Sequence, residues 1–295
     1  MTAAQPVSPA GPASPPGVSP AGPTGVAAGK QAGFGHLLLS EWTKIRSVRS
    51  TVWALILFVV ITIGFTVLIT ALITANWNRG RGGGGGGGHA GIIADPAGFL
   101  MGAGVGLGQL TICVLGALLI TTEYSTGVIR ASLLAVPRRT PMLAAKATVF
   151  AALVLVLAEI VCFSSFFAGS AILHSRVAVS LSDPGVARAV FGTGLYLTVL
   201  GLLALAVGAL IRHTAGAIST IIGVVLVLPI LSGLLPGNWG AHINAYLPQQ
   251  AGSLISHARQ QPGDLLSPWQ GFGVLCIWTA ALLAIGIYLL KRRDA

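Results

Sequence analysis

Ionisable residues inside long apolar stretches are the first candidates for chemistry in this sequence. Glu159 is the one acid deep in such a stretch, VLVLAEIVCFSSFF. A carboxylate surrounded by lipid is costly, so its presence indicates a proton carrier, a contact for a cationic substrate, or a polar anchor between helices. We treat Glu159 as a candidate residue of a translocation pathway, with a protonated or hydrogen-bonded helix contact as the alternative.

Other catalytic patterns are weak. The segment GVAAGKQ, at 25–31, approaches a phosphate-binding loop, but its first glycine is one residue too close, and glutamine stands where Ser or Thr would hold magnesium. The six histidines lie in loops and at the ends of apolar stretches, and the three cysteines are isolated in apolar runs. The sequence therefore predicts no ATP hydrolysis by this chain, no catalytic site, no cofactor and no metal.

The composition is that of a protein embedded in lipid. Hydrophobic residues make up 54% of the chain and charged residues only 8%, whereas a soluble domain carries about 25% charged residues. Six apolar stretches are long enough to cross a bilayer core of about 30 Å. We expect an all-α membrane protein whose six transmembrane helices cover about 52–75, 98–121, 143–173, 191–211, 214–235 and 271–290. Pro229 is expected to kink the fifth of them.

The positive charges predict the orientation of these spans. With six spans both termini share one side, and that side collects 12 of the 17 Lys and Arg residues against 5 on the other. Loops rich in Lys and Arg stay in the cytoplasm, so both termini are expected there. The same distribution explains the net charge of +10 without a nucleic-acid partner.

Two segments precede the first span. Residues 1–32 are rich in Pro, Ala and Gly and predict a disordered tail, followed by a six-helix domain over 33–295. The segment GHLLLSEWTKIRSVRSTVW repeats apolar residues at helical spacing, with Leu38, Trp42 and Ile45 as the clearest stripe. This pattern is typical of a helix in the membrane surface whose charged residues contact lipid headgroups. The predicted residues of this interfacial helix are Glu41, Trp42, Lys44 and Arg46.

The connection between the second and third spans has an unusual composition. TTEYSTGVIRASLLAVPRRTP contains one acid, three arginines and two prolines. We expect a short cytoplasmic helix over about 125–136, capped by Ser125 or Thr126 and ended by Pro137. A short helix joined rigidly to two spans suits a motor that presses from the cytoplasm, and an interfacial turn with anchoring arginines is the alternative.

These pieces resemble the permease subunit of ABC-2 type transporters. The likeness rests on SEWTKIRS and on EYSTGVIRASLLAVPRRTPMLAAK, and with six spans it covers about 35–295. It implies a non-catalytic membrane subunit of a bacterial cell-membrane exporter that pairs with a separate ATP-binding subunit and with a second permease copy. The resemblance further implies that the coupling residues are Glu123, Gly127, Ile129, Arg130, Pro137, Arg138 and Arg139.

Two other functions remain open from the residues. A proton-coupled secondary transporter would use Glu159 as its carrier, although no clear repeat relates the first three spans to the last three. A membrane scaffold or sensor that transports nothing is the other. The substrate cannot be read from the sequence.

Overall fold

The computed structural model describes residues 34–78, 87–127, 139–235, 238–261 and 263–292. The regular elements in these ranges are helices, and six of them are long and apolar enough to cross a membrane. The predicted all-α membrane fold with six spans is therefore confirmed. The tail predicted over 1–32 lies outside the described residues, as does most of the expected coupling helix, because residues 128–138 fall between two described ranges.

The structure describes eleven α-helices in these ranges. In chain order they are α1 (Phe34–Ser47), α2 (Arg49–Ala75), α3 (Gly87–Ala94), α4 (Pro96–Ser125), α5 (Arg139–Leu173), α6 (Val186–Ile211), α7 (Thr214–Ile222), α8 (Leu228–Gly233), α9 (Asn238–Ala245), α10 (Pro248–Ser253) and α11 (Pro268–Arg292). A π-helical segment, Gly223–Val227, joins α7 to α8, and one 3₁₀ turn, Leu254–Ser256, follows α10.

The fifth span has an internal irregularity next to a proline. The backbone N–H of Leu228 donates to Gly223 O, five residues earlier, in the π-helical segment that precedes Pro229. Proline has no N–H and clashes with the preceding turn, so a local widening accommodates it. The kink expected at Pro229 thus takes the form of a π-helical segment between α7 and α8.

The bundle is built around α6. This helix is largely buried and contacts α4, α5 and α11, while α2 packs against α4 and α5. The helices α2 and α11 and the α7–α8 span expose much of their apolar surface. Lipid is the solvent that such a surface requires.

Glycines set the closest helix contact of α2 with α4. A Cβ atom at Gly104 would overlap the carbonyl oxygen of Thr62, and one at Gly108 would overlap the Thr62 hydroxyl. A Cβ atom added at Gly102 or Gly106 of the same helix would have no other atom within 4 Å. Of the two glycine sets in GFLMGAGVGLGQL, the one at 104 and 108 therefore makes the close contact that small residues allow in lipid.

Candidate functional site

One end of the bundle, which we call the α1 end, combines α1, the last turn of α4 and the first turns of α5. The helix α1 is confirmed by the structure, and it lies against α5. Its last turn carries Lys44 and Arg46, which are favourable near the negative end of a helix dipole. The chain is extended at Val48 and then re-enters a helix at Arg49. This break lets α1 leave the axis of the first span.

Four charged side chains from three helices meet at the α1 end. Lys146 donates to Glu41 Oε2 at 2.5 Å and to Glu123 Oε1 at 2.8 Å. Lys44 donates to Glu41 Oε1 at 2.8 Å and to Glu123 Oε1 at 3.4 Å. Two cations therefore face two anions across short distances. We call these four residues the charge cluster.

The charge cluster is buried mainly around Lys146. The Lys146 side chain is 1% exposed and that of Glu41 4%, whereas the Lys44 side chain is 39% exposed. A buried ammonium survives only where carboxylates replace its lost hydration, and two of them surround Lys146. The cluster thus ties α1 to the facing ends of α4 and α5.

The cluster favours the ionised forms of Glu41 and Lys44. Burial raises the pKa of Glu41, but the charge of Lys146 and its hydrogen bond outweigh this effect and leave that pKa below its usual value. Burial lowers the pKa of Lys44, yet its hydrogen bond to Glu41 and the charge of Glu123 raise that pKa above its usual value. Glu41 and Lys44 therefore carry opposite charges at neutral pH.

A cleft opens beside the charge cluster. Its volume is about 480 Å³, and Leu115, Leu118 and Leu119 of α4 form an apolar wall. The cluster residues line its polar end. Glu123 is 9% exposed, and its Oε2 atom accepts no hydrogen bond from the residues that the structure describes.

The predicted coupling residues divide into two groups. Glu123, expected just beyond the second span, is instead inside the last turn of α4 and belongs to the charge cluster. Ser125 is the last residue of α4 rather than the cap of a new helix, because α4 continues four residues past the expected end of its span. Gly127 follows with φ +71°, a conformation that glycine adopts without strain.

The structure does not describe the side chains of the other predicted coupling residues. Ile129, Arg130, Pro137 and Arg138 lie outside the described residues. Arg139 begins α5, and its side chain is not among those described. Their predicted role in contacting an ATPase therefore stays a prediction.

The interfacial residues of α1 are arranged differently from the expectation. Trp42 is 46% exposed and Arg46 is exposed, as contact with lipid headgroups requires. Glu41, however, is 3% exposed and shares the buried face with Ile45. Glu41 was expected to contact lipid headgroups with the other charged residues of α1. It is buried instead, because Lys146 of α5 supplies a cation that offsets the cost of burying the carboxylate.

Lys146 was missed as a member of the site. The sequence places Lys146 among the cytoplasmic charges and at the end of the stretch that resembles ABC-2 permeases, but no partner is predicted for it, although it falls within the third predicted span, 143–173. An ionisable residue inside a span is a signal for a charged partner. That rule, applied to Lys146 as it was to Glu159, would have predicted a buried ion pair there.

Glu159 lies in the middle of α5 and faces α6. A Cβ atom at Gly194 of α6 would overlap the Glu159 carboxylate, so this glycine provides the space for the acid. Both carboxylate oxygens are buried and have no hydrogen-bond partner in the described part of the chain. Glu159 and the charge cluster belong to different parts of the bundle.

The end opposite to the α1 end has its own polar contact. Asp95 caps α4 by accepting from the N–H of Gly98 at 2.9 Å, and its other oxygen lies 3.2 Å from Nδ1 of His257. Arg188 donates to the carbonyl oxygens of His257 and Ala258 at 3.0 and 2.9 Å. Burial raises the pKa of Asp95. The hydrogen bonds with His257 and from Gly98 lower this pKa by more, so it lies below its usual value. This contact anchors the long connection before α11 to the start of α4.

Comparison with known protein families identifies a family for this chain. A family model described as ABC-2 family transporter protein matches residues 101–295, which cover most of α4 and everything after it. No curated protein matches the chain. The matched range is about two thirds of the sequence, and it includes Glu123, Lys146, most of the second span and all of the four spans that follow. The chain is therefore a multi-pass membrane protein that belongs to the ABC-2 family of transporter proteins.

Proposed function

We propose that this chain is the permease subunit of an ATP-driven exporter and that a separate subunit binds and hydrolyses ATP. The family assignment supports a transporter permease. The observation that carries the coupling proposal is the charge cluster, which joins α1 to the ends of α4 and α5 next to residues 126–139. Force applied to that connection would reach three helices at once.

The mechanism follows from this rigid joint. An ATP-binding subunit would press on the connection between α4 and α5, and Lys146 would transmit the movement to α1 through Glu41 and to α4 through Glu123. Packed helices shift as units rather than deform continuously, so such a push would tilt the spans between inward-open and outward-open arrangements. The chain itself would need no catalytic group.

The proposal includes an orientation and an assembly. The excess of Lys and Arg on the side of the termini supports a cytoplasmic location for the α1 end in a bacterial cell membrane. A second permease copy would complete the pathway. The exposed apolar faces of α2, α11 and the α7–α8 span provide surface for lipid and for that copy.

A charge reversal tests the coupling proposal. We expect Arg130→Glu to reduce both the amount of ATPase subunit that co-purifies and the permease-dependent ATPase rate by at least about tenfold, which corresponds to the loss of 1.4 kcal/mol. Arg176→Glu, in the connection at the opposite end, is the matched control and should keep both values. Full ATPase retention and full ATPase rate in Arg130→Glu would show that the coupling assignment is wrong.

Proton-coupled transport through Glu159 is the second candidate function. The buried carboxylate in the middle of a span favours it, since both of its oxygens lack a partner among the described residues. Vesicles containing the permease without an ATPase subunit would separate the two functions. Substrate movement driven by a pH gradient alone, and abolished by Glu159→Gln, would favour the second candidate; dependence on ATP and insensitivity to Glu159→Gln would favour the first.

A further inference from the structure

We propose that the cleft at the α1 end binds a phospholipid whose headgroup carries a primary amine, such as phosphatidylethanolamine. This inference concerns the cleft between α1, α2 and α4, and it is independent of what the chain transports. It would give the charge cluster a lipid ligand in addition to its role in joining helices.

The depth of the cleft in the membrane fits a phospholipid. Its polar end lies where the first span begins at Arg49 and the second ends at Ser125, so it is at the level of lipid headgroups. Its apolar wall, Leu115, Leu118 and Leu119, extends from that level along α4 into the hydrocarbon region. A ligand that fills both parts needs a polar head and a hydrophobic chain.

The charges of the cleft favour a zwitterionic headgroup. The cluster contains two acids and two bases, so it presents no net charge that would select an anionic lipid. The Lys44 side chain lines the cleft and is 39% exposed, so a phosphate at the mouth of the cleft can approach its positive charge. The phosphate of an anionic lipid without an amine would pair with the Lys44 ammonium. It would also bring a negative charge close to the Glu123 carboxylate, with no amine to offset it.

The second oxygen of Glu123 explains why the headgroup should carry N–H donors. Glu123 is 9% exposed, and Oε2 has no donor among the residues described in the structure. A buried carboxylate oxygen without a donor is costly. The ammonium of an ethanolamine headgroup donates hydrogen bonds, whereas the trimethylammonium of choline has no N–H and cannot.

Lipid retention on the purified permease tests this inference. The protein would be exchanged into detergent containing equal amounts of phosphatidylethanolamine, phosphatidylcholine and phosphatidylglycerol, and retained lipids would be counted by native mass spectrometry. One charge-assisted hydrogen bond contributes about 1.5–3 kcal/mol, so the amine lipid should be retained about 10- to 100-fold more than the other two. Equal retention of the three lipids would overturn the proposal without any variant.

Two tryptophan variants localise the bound lipid. Leu118→Trp fills the cleft and should reduce retention of the amine lipid at least about tenfold, whereas Val60→Trp, on an exposed position of α2 outside the cleft, should not. Equal retention by both variants would overturn the assignment to this cleft. Glycerophosphoethanolamine, which lacks acyl chains, should not compete; displacement of the lipid by this soluble compound would show a headgroup site that does not use the leucine wall.

Discussion

Replacing Lys146 with methionine removes the buried cation of the charge cluster while keeping a side chain of similar length. Lys146 is 1% exposed and contacts both carboxylates, at 2.5 and 2.8 Å. With an effective dielectric constant of about 20, one such contact contributes about 6 kcal/mol before desolvation. Desolvation cancels much of this attraction, and removing one partner of a buried ion pair costs about 3–5 kcal/mol. After the replacement, Lys44 would be the only cation of the charge cluster that faces the two carboxylates, so one negative charge in the cluster would lack a cation. We expect a loss of that size in the free energy of unfolding at neutral pH.

The pH dependence of this loss separates electrostatics from packing. The lowered pKa of Glu41 means that its ionised form stabilises the wild-type fold above its usual pKa, and that this contribution is lost as the pH falls through the lowered value. Without Lys146, the Glu41 carboxyl should bind a proton more readily. The destabilisation of Lys146→Met should therefore be largest near neutral pH and shrink as the pH approaches about 4.

Unfolding by a denaturing detergent, followed by circular dichroism at several pH values, measures this difference. Lys44→Met is the matched control: the Lys44 side chain is 39% exposed against 1% for Lys146, so water screens its interactions and its removal should cost less than that of Lys146. A Lys146→Met protein within about 1 kcal/mol of wild type would refute the reasoning. A loss that does not change with pH would assign the effect to packing and refute the electrostatic account.

Two further predictions concern other parts of the bundle. Gly104→Ala places a methyl group against the carbonyl oxygen of Thr62 and should lower the free energy of unfolding by about 1–3 kcal/mol. Gly106→Ala meets no atom within 4 Å and should change that free energy by less than about 1 kcal/mol. The unfolding assay compares the two variants, and equal effects would contradict the described packing. Asp95→Ala should cost about 1–2 kcal/mol at neutral pH because it removes a helix cap and the contact with His257. Because the pKa of Asp95 is lowered in the folded chain, the difference from wild type should persist above about pH 4 and close below it; a difference that is constant down to about pH 2 would contradict the assigned carboxylate.

Features that depend on residues close together in the sequence were predictable. The six spans follow from uninterrupted apolar runs, and α1 follows from helical spacing over a dozen residues. The irregularity at Pro229 was expected for the same reason, since a proline acts on the turn that contains it. The π-helical form of that irregularity depends on how the preceding turn relaxes, which the pattern does not specify.

Long-range pairing was not predictable in the same way. Lys146 and Glu41 are 105 residues apart and Lys146 and Glu123 are 23 apart, so no local pattern brings them together. The glycines of α4 show the same limit. The sets at 102 and 106 and at 104 and 108 have the same spacing, and only the position of α2 decides which set is in contact.

Cross-linking from the α1 end tests the central proposal most directly. Cys113 and Cys162 are buried, so replacing the half-buried Cys276 with alanine gives a background for a single new cysteine. Thr126→Cys, at the exposed end of α4, and Ser182→Cys, in the exposed connection at the opposite end, would be labelled with a benzophenone maleimide in the assembled complex. The account predicts a photo-cross-link to the ATP-binding subunit from position 126 and none from position 182. A cross-link from 182 alone, or none from 126 in an active complex, would contradict it.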